Sequence, residues 1–260
     1  MKKRKRYYVI LIVLIVFTIG MYYAFGKENI AKGKDSTTII VGDNTIWNYS
    51  DNQWLNITNN KTIESISWLD YNIYLDNKKF GQYYLWNDGN KWYMFDSNKK
   101  AINKDGKILA YRSNYNIQIK DFTSKPIRNY YHVNKVLRDN QLSTSSRYTV
   151  SEEITIDIDN DGKNEILYFV SNAFALDFNP DKVFSLVFMV KDNKIYNIYT
   201  DIDKNLGTNG CKPYLSAVID IDEDNTYELV VSCGKYSVSK PLDMLYKFNG
   251  TDFKILISNQ

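Results

Sequence analysis

A single histidine, two cysteines and four prolines are all that this 260-residue chain holds of those three types. One histidine, His132, excludes multi-histidine metal centres and leaves any histidine-based triad resting on that residue alone. Two cysteines exclude a disulfide-dense scaffold. The G-x-S-x-G elbow, the P-loop and the dinucleotide fingerprint are all missing. Nothing in the chain therefore announces a nucleophile, a phosphate cradle or a cofactor, and the expectation is a protein that is not an enzyme.

Long apolar runs are also scarce, with one exception. Lys2, Lys3, Arg4, Lys5 and Arg6 form a basic tail (residues 1–6), and a charge-free run follows from Tyr7 to Phe25. At ~1.5 Å per residue that run spans roughly 28 Å, the thickness of a bilayer core. Residues 7–25 are thus predicted to be a single transmembrane anchor of bacterial type, with the N-terminus inside and the remainder outside the cell membrane. The alternative is a secreted protein, cleaved near Gly26, but the run exceeds the roughly 7–15 apolar residues of a usual signal peptide. Those five basic residues also account for the +3 net charge, so the chain beyond them carries −2. A near-neutral ectodomain is a poor electrostatic partner for nucleic acid. Membrane, through the anchor, and a surface protein or glycan are the partners that remain.

What the chain does have is β-prone sequence. Residues 26–37 read as a polar tether. Residues 38–125 form an aromatic-rich β region of short runs such as Thr45–Tyr49, Gln82–Trp86 and Lys91–Phe95, separated by Asn, Asp and Gly. All five tryptophans fall in it, between Trp47 and Trp92. Core filling is the ordinary use of such residues, and a sugar-stacking surface is the alternative. Residues 126–148 break the pattern: Tyr130, Val133, Val136 and Leu137 recur at helical spacing behind Pro126, which predicts one helical insertion.

From 149 to 260 the strands resume as an internal repeat. Ile154-Thr-Ile-Asp-Ile-Asp-Asn-Asp-Gly-Lys-Asn-Glu-Ile-Leu167 returns 63 residues later as Ala217-Val-Ile-Asp-Ile-Asp-Glu-Asp-Asn-Thr-Tyr-Glu-Leu-Val230. Each copy precedes a second hairpin, so each unit offers about four strands, one propeller blade's worth of chain. Fold class is read as all-β, a propeller-like ectodomain of about five blades.

Each copy carries acids at alternate positions of a tight turn: Asp157, Asp159 and Asp161 with Glu165, then Asp220, Asp222 and Asp224 with Glu228. Crowded carboxylates repel one another unless a cation neutralises them. Hard oxygens without His or Cys point to Ca2+ in a structural role and away from zinc. Gly162 supplies a left-handed turn position, for which Asn225 is the best non-glycine substitute. The closing acid comes too early for an EF-hand, and the flanks alternate as strands.

The D-x-D-x-D-G-x-x-E loop, its strand flanks and its repetition resemble the FG-GAP/VCBS repeats of integrin-α-like β-propellers, over about residues 152–258. The resemblance implies calcium in each loop. The ligands would be Asp157, Asp159, Asp161, Glu165 and the Lys163 carbonyl, then Asp220, Asp222, Asp224, Glu228 and the Thr226 carbonyl.

Cys211 and Cys233 flank the second hairpin. If Ile219 faces Leu229, Cys233 lies opposite Leu215, a separation of ~13 Å from Cys211 on straight strands. A Cys211–Cys233 disulfide is expected, on condition that the chain near Pro213 folds back.

Overall fold

The computed structural model describes residues 37–259, apart from residues 44, 51–52, 77, 90, 103–105, 114–115, 146, 175–181, 204–209 and 236–240. The basic tail, the predicted anchor and nearly all of the tether lie outside the described residues. Among the described residues no helix is long and apolar enough to cross a membrane.

The described residues are mostly β, in three sheets. Residues 37–113 contribute β1 (Thr37–Val41), β2 (Thr45–Ser50), β3 (Gln53–Asn56), β4 (Leu69–Leu75), β5 (Lys78–Asn87), β6 (Trp92–Phe95), β7 (Ala101–Ile102) and β8 (Ile108–Ser113). These make one eight-stranded sheet in the order β3-β2-β1-β8-β4-β5-β6-β7. The first repeat folds as an antiparallel meander of β11 (Val150–Ile156), β12 (Glu165–Ser171), β13 (Val183–Lys191) and β14 (Lys194–Asp203). The second repeat does the same with β15 (Cys211–Asp220), β16 (Glu228–Lys235), β17 (Leu242–Phe248) and β18 (Phe253–Ser258). A short connector stitches the two together. Its β9 (Gln118–Ile119) adds to the edge of β15, and its β10 (Ser124–Pro126) adds to the edge of β11.

Turn chemistry explains the meanders. Asp192 and Asn193 both take positive φ (48° and 62°) between β13 and β14, the requirement of a two-residue hairpin turn. Gly250 (φ 88°) serves the β17–β18 turn, where the Asn249 side chain accepts from the N–H groups of Thr251 and Asp252.

The sheets stack face to face, and always in the same sense. Register makes Tyr168 and Phe188 of the first repeat equivalent to Val231 and Met244 of the second, and Leu167 and Met189 equivalent to Val230 and Leu245. Leu167, Phe169, Val187 and Met189 pack on Val231, Met244 and Tyr246. The opposite face of the second repeat, with Ala217, Ile219, Val230 and Leu245, packs on Ile39, Val41, Trp47 and Leu109 of the eight-stranded sheet. Thus β13 is buried along both faces, and its run Val183-Phe-Ser-Leu-Val-Phe-Met-Val190 has almost no polar residue.

Helices close both ends of this stack. Helix α2 (Tyr131–Asp139) lays Val133, Val136 and Leu137 on Tyr168, Phe184 and Phe188. Helix α1 (Asn60–Ile66) places Ile66 against the far face of the eight-stranded sheet, beside Tyr71, Leu85 and Trp92.

The fold departs from the sequence pattern in three places. Among the described residues there are three sheets where about five blades were expected, because residues 37–113 merge into one broad sheet. There are two helices among the described residues, not one. Helix α1 spans 7 residues, too few to show a period, and is set by Asn59, whose side chain caps the Lys61 N–H at 2.9 Å. Finally, Pro126 opens no helix. It pairs with Glu152 in the sheet, and α2 starts at Tyr131.

The cysteines are joined, and register explains how. Ile219 faces Glu228, not Leu229, and a bulge at Ser216 advances the pairing by one more residue. Cys233 therefore lies opposite Pro213, two positions from Cys211, on a diagonal that strand twist draws close. The Cα atoms are 5.4 Å apart and both side chains are fully buried. The bond closes a loop of 22 residues. Replacing both cysteines by serine should cost about 3 kcal/mol, a drop of roughly 6–12 °C in melting temperature. An unchanged melting curve would show that the β15–β16 register holds without the bridge.

Candidate metal centres

Both acid loops join the first two strands of a repeat. Residues 157–164 connect β11 to β12, and residues 221–227 connect β15 to β16. Each loop uses two left-handed residues at equivalent positions: Asn160 (φ 51°) and Gly162 (φ 84°), then Glu223 (φ 59°) and Asn225 (φ 65°). The backbone path is therefore the same in both copies, despite Gly162 being replaced by Asn225.

The closing acid fixes the loop from within. Glu165 is 1% exposed, and its Oε2 accepts the Ile158 N–H at 2.8 Å. Glu228, also 1% exposed, accepts the Ile221 N–H at 3.0 Å. The leading acid repeats the idea: Asp157 Oδ2 accepts the Gly162 N–H and Asp220 Oδ2 accepts the Asn225 N–H, both at 3.2 Å. Asp161 and Asp224 accept the N–H groups of Lys163 and Thr226 at 2.8 Å.

These turns bring Asp157, Asp159 and Glu165 together, and likewise Asp220, Asp222 and Glu228. In each trio, one oxygen per residue lies within 4.8 Å of the others, close enough to hold a metal ion. Asp161 and Asp224 stand outside the trios. The backbone N–H groups of Lys163 and Thr226 bind Asp161 and Asp224 of their own loops, and the Lys163 ammonium reaches Asp192 at 3.6 Å. Asp157 Oδ1 and Asp220 Oδ1, at equivalent places in the two loops, are buried with no hydrogen-bond partner; Glu228 Oε1 is also buried without a hydrogen bond, though the Lys247 ammonium pairs with it at 2.9 Å. A buried orphan oxygen at equivalent places in two copies fits a cation that completes the shell.

A side-chain ammonium, which the expected ligand set did not contain, also enters both loops. Lys191 Nζ lies 2.8 Å from carboxylate oxygens of Asp159, Asp161 and Glu165. Lys247 Nζ lies 2.6, 2.8 and 2.9 Å from those of Asp222, Asp224 and Glu228. These lysines follow Val190 and Tyr246, the partners of Ile166 and Leu229, so each is the cross-strand neighbour of its closing Glu. The sequence carries the signal: aligning the second hairpins of the repeats on their central strands superposes Lys191 on Lys247. It goes unseen because the links from β12 to β13 and from β16 to β17 differ in length, so that Lys191 lies 26 residues after Glu165 but Lys247 only 19 after Glu228.

Charge in the loops is set by burial against these ion pairs. Burial disfavours the Lys191 ammonium, but its bonds to Asp159, Asp161 and Glu165 outweigh that and raise its pKa well above the usual lysine value. Lys247 is raised for the same reasons. The Lys191 hydrogen bond holds Asp161 below the ordinary carboxylate value. Burial raises Asp220, and pushes Glu228 up to about 7 against the pull of Lys247.

The two centres touch. The Tyr227 N–H donates to the Ile158 carbonyl at 2.8 Å, and Asn160 Nδ2 donates to the Asn225 carbonyl at 3.0 Å. Lys120 Nζ donates to the Asp157 carbonyl and to Asn160 Oδ1, and sits over the Tyr227 ring.

The aromatic residues divide into two sets. Trp47 and Trp92 are core residues, 0% and 2% exposed. Tyr84, Trp86, Tyr93 and Phe95 share one face of β5 and β6, on the side where β1 and β8 meet the second repeat. The eight-stranded sheet is wider than its neighbour, so this wing overhangs. Trp68 joins the row at 4.8 Å from Phe95, and Trp68, Tyr84 and Tyr93 are 45%, 37% and 39% exposed. His132 lies on α2, in ring contact with Tyr131 and Tyr168, away from both loops.

Compared with family models, with curated proteins and with solved structures, the chain matches none.

Proposed function

We propose that this chain is a single-pass membrane protein whose extracytoplasmic β-repeat domain binds calcium in its two acid loops and serves as a binding or scaffolding module. The observation that carries this reading is the recurrence of one ligand arrangement in two copies, each with a converging carboxylate trio and an orphan buried oxygen. All the donors are hard oxygens on irregular turns, which suits calcium's flexible shell better than magnesium's strict octahedron. The same-sense stacking of two four-stranded meanders is how successive propeller blades pack, in keeping with the FG-GAP/VCBS resemblance. The basic-then-apolar start supports the anchor and the extracytoplasmic location. For a ligand, the overhanging aromatic row offers faces on which a glycan or a protein loop can stack.

Calorimetric titration of the full chain in detergent with calcium should give two ions per chain, and the Asp159→Asn, Asp222→Asn variant should bind with much lower affinity. A titration without binding would end the calcium reading. The exposed aromatic row also favours a second reading, an envelope polysaccharide-acting enzyme. Retention of cell-wall glycan without cleavage fits the module. Turnover that vanishes when one acidic pair is neutralised fits the enzyme.

A further inference from the structure

We infer that Lys191 and Lys247 are the built-in cations of the acid loops, and that a divalent ion binds only by expelling each ammonium from between its carboxylates. The nature of the divalent ion rests on the calcium reading above; the displacement rests on geometry.

An ammonium has three N–H donors, and each loop presents three carboxylates at hydrogen-bonding distance, 2.8 Å around Lys191 and 2.6–2.9 Å around Lys247. The match occurs twice, from equivalent strand positions, with equivalent acids. The trio that converges for a metal is Asp157, Asp159 and Glu165, while the lysine takes Asp159, Asp161 and Glu165. Two of three partners are shared, so an ammonium and a divalent ion compete for one place. In the second loop Asp222 and Glu228 are shared in the same way.

The oxygens that the lysines leave unpartnered mark the second state independently. Asp220 is 2% exposed and its Oδ1 is buried with no partner while Lys247 binds the other acids. Asp157 Oδ1 repeats this beside Lys191. Each loop sets four carboxyl groups around one ammonium, which touches three of them and leaves the leading Asp157 or Asp220 without it. Neither lysine is sealed in: their side chains are 15% and 21% exposed, and a long flexible stem lets the head swing to solvent.

The device sets a threshold. Without a divalent ion the lysine ties the end of its third strand to the acid loop, and binding must first break that tie. Apparent affinity is lowered by the fraction of loops in which the lysine is seated.

The test is calcium titration of the full chain in detergent, comparing the native protein with Lys191→Met and Lys247→Met. In each variant the affected loop should bind calcium at least about tenfold more tightly. A second measurement needs no variant: amine acylation read by mass spectrometry should find Lys191 and Lys247 protected in chelator and reactive at saturating calcium. Native binding that the methionine variants leave unchanged or weaken, or lysines still protected at saturation, would overturn the displacement and leave the calcium reading intact. Binding by the variants but not by the native chain would support the lysines as resident cations and defeat the calcium reading for the native protein. Absence of binding in every form would overturn both.

Discussion

Calcium at a hundredfold excess over its dissociation constant should stabilise the protein by about 2.7 kcal/mol at each loop, and so by roughly 5 kcal/mol when both are filled. For a domain of this size that is a rise of roughly 10–20 °C in melting temperature. Extracellular calcium modules have dissociation constants near 10⁻⁴–10⁻³ M, so the rise belongs to millimolar calcium and should disappear in chelator. Asp159→Asn and Asp222→Asn each remove one ligand charge at nearly constant shape. Each should shrink the calcium-dependent rise, and the double variant should lose most of it. In chelator, carboxylate repulsion alone would make both substitutions neutral or mildly stabilising. The lysines reverse that sign, because each substitution takes one of three partners from an ammonium. The cost should be about 1 kcal/mol or less, since Asp222 is 44% exposed and Asp159 23% exposed. Melting curves that coincide in calcium and chelator would reduce the loops to self-neutralised acidic turns.

The part of this molecule that could be read from sequence is the part governed by local rules. Alternation over Ile154–Ile158 and Ile166–Val170 marked β11 and β12, and turn residues marked the hairpins. The helix face of Val133, Val136 and Leu137 followed from its spacing, while its start did not: Pro126 is equally at home on an edge strand, and β10 is one. Helix α1 was hidden because 7 residues cover barely two turns. The broad eight-stranded sheet was hidden for a deeper reason. Its pairing of β1 with β8, some 70 residues apart, is chosen by packing against the second repeat and leaves no trace in either strand alone.

The site divides along the same line. Acids at alternate positions of one turn are local, and so were visible. Lys191 and Lys247 reach the acids only through the β12–β13 and β16–β17 pairings, beyond the reach of a motif. The disulfide was expected, but the way it closes was obscured by register, since a misplaced turn partner and an unseen bulge at Ser216 each moved Cys233 by one residue. Of the aromatic residues, sequence could not divide Trp47 and Trp92 in the core from Trp68 and Tyr93 on the wing. That division depends on one sheet being wider than the next.

Glu165→Ala should be among the costliest single substitutions in either loop, and its cost should not depend on calcium. Glu165 is buried and joins two elements at once: Oε2 accepts the Ile158 N–H at 2.8 Å and Oε1 holds Lys191 at 2.8 Å. Alanine leaves a buried backbone donor unsatisfied, for about 1–3 kcal/mol. It also takes the most buried counter-charge from the ammonium, and breaking such a pair brings the total to roughly 3–5 kcal/mol. Glu165→Gln retains an oxygen for the Ile158 N–H and gives up only the charge, so it should cost about half as much. Glu228 holds Ile221 and Lys247 in the same way, and Glu228→Ala should behave alike. The measurement is the urea midpoint in chelator, at constant slope, for alanine and glutamine variants at both positions. If the alanine variants lose stability only when calcium is present, these acids are ligands alone. A loss that persists in chelator, and that glutamine half restores, identifies them as the residues that build the loop around which either cation, ammonium or metal, is held.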